Sequence, residues 1–376
     1  MKWFSCIAAA FLNLASVYAA DSGTTSANFL KLGVGPRAIA MGEAQVGLAD
    51  DVFAMYWNPA GLAQLQVQEA GFTHTQHFQD VTEQYAAYAY PHQTLGAFAA
   101  SATFLNVSKF DGYDAAGQPT NAVGASDTSL SLGYARPLWK NRRMGSELLI
   151  GASAKYIQEK LASVTASAYA VDGGLLVVPG KAWGEYLEGW RAGFCLRNLG
   201  TPMQFDSESF PLPRSLNAGL SWTGEVLGES IIFTMDGQQP NDGKRTFGTG
   251  VEVWTLKTFV IRGGYTSRGD LGNGLRLGAG IRFRTLEIGY AYLAAGDLGQ
   301  AHRIGLTLRF GKPARDPQSI AEEWYLKGLK EYKKQRYTEA LVDFNKALEI
   351  DPSHPQALEM MNKTYEELKV LVPSQP

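Results

Sequence analysis

Residues 275–292 read LRLGAGIRFRTLEIGYAY, and their side chains alternate. Leu275, Leu277, Ala279, Ile281 and Phe283 fall on one face of an extended chain, with Arg276, Gly278, Gly280 and Arg282 on the other. Beyond a turn at Arg284 the same rule holds: Leu286, Ile288, Tyr290 and Tyr292 oppose Glu287, Gly289 and Ala291. Ile304, Leu306, Leu308 and Phe310 likewise oppose Arg303, Gly305, Thr307 and Arg309. A period of two is the mark of a β-strand with one apolar face. A soluble sandwich or propeller would bury that face; a membrane barrel would turn it to lipid. Glycine and arginine on the polar faces point to a lumen rather than a solvated exterior. Aromatics near strand ends (Trp139, Trp222, Trp254, Tyr265, Phe310) suit an interfacial girdle.

Extended outward, the pattern predicts strands near 67–77, 83–90, 94–107, 127–137, 147–160, 164–178, 189–199, 214–223, 229–237, 245–254, 257–266, 274–283, 285–294 and 301–310. Fourteen is an even number, as bacterial barrels require. Pro91–Gln93, Thr255–Leu256 and Arg284 are tight links, whereas Ser108–Ser126, Gly200–Pro213 and Gln238–Lys244 are long. The two kinds fall at opposite ends; 180–188 is a longer link among the tight ones. Short turns are periplasmic in such barrels, so the expectation is that both chain ends lie in the periplasm.

Composition agrees with an exported protein. The chain has 376 residues, a net charge of −2 and 19% charged residues, which does not suggest a nucleic-acid binder. Lys2, an apolar stretch from Trp3 to Ala15 and Val17-Tyr18-Ala19 predict a signal peptide over 1–19, cut before Ala20. Cleavage would remove Cys6 and leave Cys195 without an internal disulfide partner. Beyond the signal no run of eighteen apolar residues occurs, so no spanning helix is expected.

Ahead of the first strand lies FLKLGVGPRAIAMGEAQVGLADDVFAMYWNPAGLAQL, Phe29 to Leu65. It is too glycine-rich and too interrupted for one helix or one strand. Pro36 can open a short helix and Gly42 close it. Asp50 and Asp51 stand where an N-cap belongs, and Asn58-Pro59 ends the next turn because a residue before proline avoids helical geometry. Arg37 is placed to pair with Asp50 or Asp51.

The pattern at Gly33, Gly35, Arg37, Met41 and Gly42, followed by Asp50-Asp51 and Trp57-Asn58-Pro59-Ala60-Gly61, resembles the opening of PorV/PorQ-family outer-membrane proteins. Those are relatives of FadL-type hydrophobic-compound transporters, in which a similar Asn-Pro-Ala-Gly stretch lies in the barrel plug. The resemblance implies an all-β fold: a 14-stranded transmembrane antiparallel barrel over 66–310, plugged by 20–65. Arg303-x-Gly305-x-x-Leu308-x-Phe310 resembles the terminal assembly signal of such barrels, although 66 residues follow it here.

At Gly311 the character changes. A polar linker over 311–318 leads to a helical period over 319–372. Trp324, Gly328, Tyr337, Ala340, Phe344, Ala347 and Pro352 stand at the spacing of a tetratricopeptide repeat, with Lys327 where leucine is usual. Helices are expected over 319–334, 338–350 and 355–370.

No catalytic or metal constellation emerges, and neither an enzyme nor a cofactor is expected. His74 and His77 lie three apart on an expected strand, hence on opposite faces. No G-x-S-x-G elbow occurs. Gly33-x-Gly35-x-x-Ala38 lacks the parallel strand and acidic residue of a dinucleotide site. Charged residues on the inner faces form the other candidate set: Asp172, Asp236, Glu252 and Glu287 against Arg262, Arg276, Arg282, Arg303 and Arg309. They read either as a ladder of pairs filling the lumen or as the wall of a polar conduit.

Two functions follow from the resemblance. One is protein export, with outer-membrane lipid around the barrel and a periplasmic or secreted protein held by the C-terminal helices. The other is FadL-like passage of a hydrophobic small molecule.

Overall fold

The computed structural model describes residues 23–371 apart from 78–79, 114–115, 142–145, 227–228, 257, 269–271, 295, 297–298 and 315–316. The expected signal peptide with Cys6, the first three plug positions and position 372 lie outside the described residues. No described helix is long and apolar enough to cross a membrane.

The strands are β1 (Gln68–Gln76), β2 (Val81–His92), β3 (Gly96–Tyr113), β4 (Pro119–Asn141), β5 (Ser146–Leu161), β6 (Val164–Val178), β7 (Trp190–Gly200), β8 (Met203–Phe205) and β9 (Glu208–Phe210). They continue as β10 (Ser215–Val226), β11 (Glu229–Pro240), β12 (Thr246–Thr255), β13 (Phe259–Thr266), β14 (Leu275–Phe283), β15 (Leu286–Ala294) and β16 (Gln300–Phe310). All but β8 and β9 join one closed antiparallel barrel of fourteen strands, shut by β1 against β16 with Gln68 opposite Phe310. The two short strands form a separate hairpin in the link after β7, which the alternation did not predict.

Parity decides which residues face outward. On β14, Leu275 and Leu277 are exposed, whereas Arg276 between them is buried. Ile288 on β15 and Leu306 on β16 are cross-strand partners, and both are exposed. Apolar groups outside and charged groups inside invert the arrangement of a soluble sheet; lipid is the solvent that favours it. Trp254 corrects the girdle expectation. It shares parity with Glu252 on β12, faces inward and is buried.

Call the end where β1 begins and β16 finishes the near end. The links at 93–95, 256–258 and 284–285 lie there, and those at 201–214, 241–245 and 267–274 at the far end. The expected long link over 108–126 is mostly strand, because β3 runs to Tyr113 and β4 starts at Pro119. Residues 162–163 make a two-residue turn at the far end, so the length alternation is not strict.

The segment before β1 contains a 3-10 turn over Asn28–Lys31, α1 (Pro36–Ala40), α2 (Ala54–Trp57) and a 3-10 stretch over Pro59–Gln64. Proline stands at the start of α1, where its missing N–H costs nothing. Gly42 follows with φ 67°, a left-handed geometry that suits glycine. Asp51 Oδ1 accepts from Phe53 N at 2.9 Å, and Asn58 Oδ1 accepts from Ala60 N at 3.2 Å. The start of this segment is at the far end, where Ser26 N donates to Pro211 O at 3.1 Å. Residues 25–31 and the end of β16 thus lie at opposite ends of the barrel.

The helical unit comprises α3 (Pro317–Lys333), α4 (Tyr337–Ile350) and α5 (Pro355–Leu371). Tyr325, Ala340, Phe344, Ala347 and Ala357 form its core. Trp324 packs only at its margin, Tyr337 is half-buried with its ring edge-on to Tyr332, and Pro352 is exposed beyond the end of α4. Gly328 lets α3 approach the Phe344 ring: a Cβ there would lie 2.6 Å from it.

Candidate functional site

Val34, Val52, Phe53, Met55, Trp57 and Leu62 of the plug form a buried apolar cluster with Tyr85 and small residues of the wall, and the wall shapes the rest of its path. Inward-facing glycines make room for it. A Cβ on Gly264 would collide with the backbone of Met41 and Gly42, and one on Gly193 with Val46 O. Gly151 and Gly174 stand in the same relation to Pro59-Ala60 and to Asn58. Gly289 and Gly305 accommodate Pro36. Gly278 and Gly305, which alternate with arginine along the inner faces, are likewise seats for the plug, at Ala40 and Pro36.

Hydrogen bonds complete the seating. Asn58 Nδ2 donates to Val46 O at 2.9 Å and to Leu175 O at 3.1 Å, so one side chain ties two plug turns to β6. Trp57 Nε1 donates to Val34 O at 3.0 Å. Asp236 Oδ2 accepts from Gln45 N and Val46 N, both at 2.6 Å.

Charges concentrate at the near end. Arg37 Nη1 meets Asp50 at 2.6 Å and Asp51 at 3.3 Å, while Nε and Nη2 grip Glu252 at 2.8 and 2.9 Å. Glu252 also accepts from Arg262 Nε at 2.6 Å and from Trp254 Nε1 at 2.9 Å. Arg262 passes on to Glu287 at 2.9 Å, where Arg282 and Arg309 converge on Oε2 at 2.8 and 3.0 Å. Arg309 reaches Glu69 at 2.9 Å, and Glu69 Oε2 accepts from Val52 N at 3.0 Å, returning to the plug. The Arg282 guanidinium lies over the Trp254 ring at 4.1 Å.

Burial alone would depress the Arg37 pKa, yet Asp50, Glu252 and Asp51 hold it well above the usual value. Burial pushes the Asp51 carboxyl upward, and Arg37 opposes that only in part. Removing one partner from such a network leaves the others buried and uncompensated, which costs far more than the intact network contributes.

The remaining expected residues occupy separate places. Arg303 donates to Gly33 O and lies 3.5 Å from Glu83. Arg276 is fully buried and donates to Leu275 O at 3.0 Å. Asp172 pairs with Lys155 at 2.7 Å and accepts from Asn198 N at 2.8 Å. Glu69, Glu83 and Arg197 were not singled out by sequence, although strand parity places all three inside. Arg197 stacks its guanidinium 5.0 Å from the Tyr56 ring and 5.6 Å from that of Trp57.

Between plug and wall, one cavity of about 20 Å³ is lined by Phe29, Leu30, Tyr56, Tyr85, Ser129 and Lys155 among others. A second, also about 20 Å³, lies beside Trp57, Arg197 and Asp236. A larger space of about 420 Å³ opens at the near end, lined by Arg37, Asp50, Ser230, Ile232, Glu252, Trp254, Arg282 and Arg309. Among the described residues no cluster of His, Cys, Asp and Glu suits a metal ion.

A closed fourteen-stranded barrel, apolar outside and plugged by its own N-terminal segment, defines an outer-membrane barrel protein. The family described as "Type IX secretion system protein PorV" matches residues 18–222, and the chain belongs to that family. The tetratricopeptide repeat matches residues 321–354. Similar solved structures include the CymD monoaromatic hydrocarbon channel, at 14% identity and TM-score 0.48, with 74% of this chain and 98% of that one covered. The Pseudomonas putida toluene transporter TodX is similar at 12% identity and TM-score 0.46, with 73% and 96% covered. A Pseudomonas aeruginosa FadL homologue follows at 11% identity and TM-score 0.44, with 74% and 98% covered. No curated protein matches the chain.

Proposed function

We propose that this protein serves protein export as an outer-membrane docking barrel whose helical repeat holds a periplasmic or secreted protein. In this reading 20–65 is the plug, 66–310 the barrel, 311–318 a linker and 319–372 the docking unit, with the near end facing the periplasm. The filled lumen carries the choice of docking over passage. Cavities of about 20 Å³ beside the plug have room for water. Pockets for small organic ligands run to roughly 300 Å³ or more and are mainly apolar. The near-end space of about 420 Å³ has Ile232 and Trp254 in its wall but is dominated by Arg37, Asp50, Glu252, Arg282 and Arg309, a charged lining that suits a hydrophobic compound poorly. A repeat fold that presents helix faces, joined to a barrel of a secretion family, agrees with a protein partner.

Deleting everything after Pro317 tests the reading. The barrel should still assemble, because β1 and β16 close it without the tail. Proteins that co-purify with the full chain from cells should be lost, with uptake of hydrophobic solutes unchanged from the full chain. Retention of the same partners by the truncated barrel would exclude the tail as the docking unit. Saturable uptake that Arg37 or Asn58 substitutions abolish would favour passage instead.

A further inference from the structure

We infer that the amino-terminal segment is a strap running through the whole barrel, so that its start is displayed on the membrane face opposite to the one where β16 ends. Two sets of contacts carry this. At the far end Ser26 N and Oγ bond to carbonyls at the end of β9: Ser26 N to Pro211 O at 3.1 Å and Ser26 Oγ to Phe210 O at 3.2 Å. Thr25 Oγ1 donates to Asp242 Oδ2 at 2.5 Å, and Lys31 forms an ion pair with the same carboxylate. Arg268, also in a far-end link, donates to Lys31 O at 3.3 Å and pairs with Glu43 at 3.3 Å. Ala27, Phe29 and Leu30 pack with Met203, Leu212 and Ile157 beneath these links.

Further along, the same chain is fixed at the near end. Arg37 is held by Glu252, and Val52 N bonds Glu69, the second residue of β1. The segment therefore begins at one end of the barrel and enters β1 at the other. Gly23 and Thr24, the first described residues, are exposed beyond the Asp242 latch. The strap is closely packed beside Phe29, Tyr56 and Trp57, where the cavities are of about 20 Å³; the larger space of about 420 Å³ opens at the near end, beside Arg37 and Asp50. The inference adds to the proposed function: with the near end in the periplasm, the strap presents its start at the cell surface, where an external partner can reach it.

Cysteine labelling tests it in the full-length chain in intact cells. Cys195 is buried, so a membrane-impermeant maleimide should leave the parent protein unlabelled. Thr24→Cys reports the start of the strap, and Leu256→Cys, on an exposed near-end turn, reports the other face. The expected result is that intact cells label Thr24→Cys, and Leu256→Cys labels only once the outer membrane is opened. The reverse pattern would keep the strap and overturn the periplasmic near end of the proposed function. Both positions labelling under the same condition would overturn the strap. A third variant probes the latch. Ser26→Cys is buried, and adding Asp242→Asn should raise its labelling rate several-fold; an unchanged rate would remove Asp242 as the latch.

Discussion

The plug and the helical unit are both assembled from helices, yet they are stable for opposite reasons. In the plug, α1 has five residues and α2 four. Isolated helices need roughly 12–15 residues to be even marginal in water. These persist because wall glycines, Asp236 and the Arg37 network hold them, and because Val52, Phe53, Met55, Trp57 and Leu62 pack against Tyr85 and the alanines of the wall. In the helical unit the helices have 17, 14 and 17 residues and an apolar side each, which build a core from Tyr325, Phe344 and three alanines. One region borrows its structure from the barrel. The other is built from its own side chains.

The largest test of that contrast sets neighbouring glycines against each other. Gly264→Val puts carbon into the plug backbone and should abolish assembly of a folded, heat-modifiable barrel. Gly263→Val faces open space on the other side of β13 and should assemble normally. Equal behaviour of the two would mean that the plug is not seated on the wall. Next in size is Arg37→Ala. It leaves Glu252 and Asp50 without their main cation, and the loss should be about 3–5 kcal/mol in barrel unfolding from detergent micelles. An unfolding midpoint equal to the parent's would show the network to be idle.

Outward substitutions probe the shared scaffold rather than the plug. Leu277→Arg, Ile288→Arg and Leu306→Arg should each cost about 2–4 kcal/mol in lipid bilayers and slow insertion into vesicles. Arg276→Gln, one residue away but inside, should insert at the parent rate. The smallest effect belongs to the helical unit. Gly328→Ala presses a methyl group onto Phe344 and should destabilise that unit by about 1–3 kcal/mol. The helical signal in circular dichroism would then melt earlier while the strand signal stays in place. Coupled loss of both signals would show that the two regions do not fold separately.

Alternation alone carried much of this architecture. A period of two fixes parity, and parity fixes which side chains meet lipid, so Leu277, Ile288 and Arg276 were placed before any contact was known. Repeat spacing did the same for Phe344 and Ala347, since residues three apart fall on one face of a helix. The pattern had less to say where period competes with composition. Trp254 looked like an interfacial aromatic, but parity with Glu252 outweighed its residue type. The link expected over 108–126 was polar enough to read as a loop, and paired into strand because its neighbours continued the ladder.

Three matters were left to the tertiary structure. The glycines of the inner faces could be read as lumen lining, and only the close approach of a second backbone shows them to be seats. Arg37 could be assigned an acid near it in sequence; that Glu252, 215 residues away, takes two of its bonds depends on how β12 is registered in the closed ring. The path of residues 23–65 was beyond reach of any local pattern. It is set by contacts such as Ser26 with Pro211 and Thr25 with Asp242, and a sequence encodes periodicity along the chain far more directly than it encodes which distant segments meet.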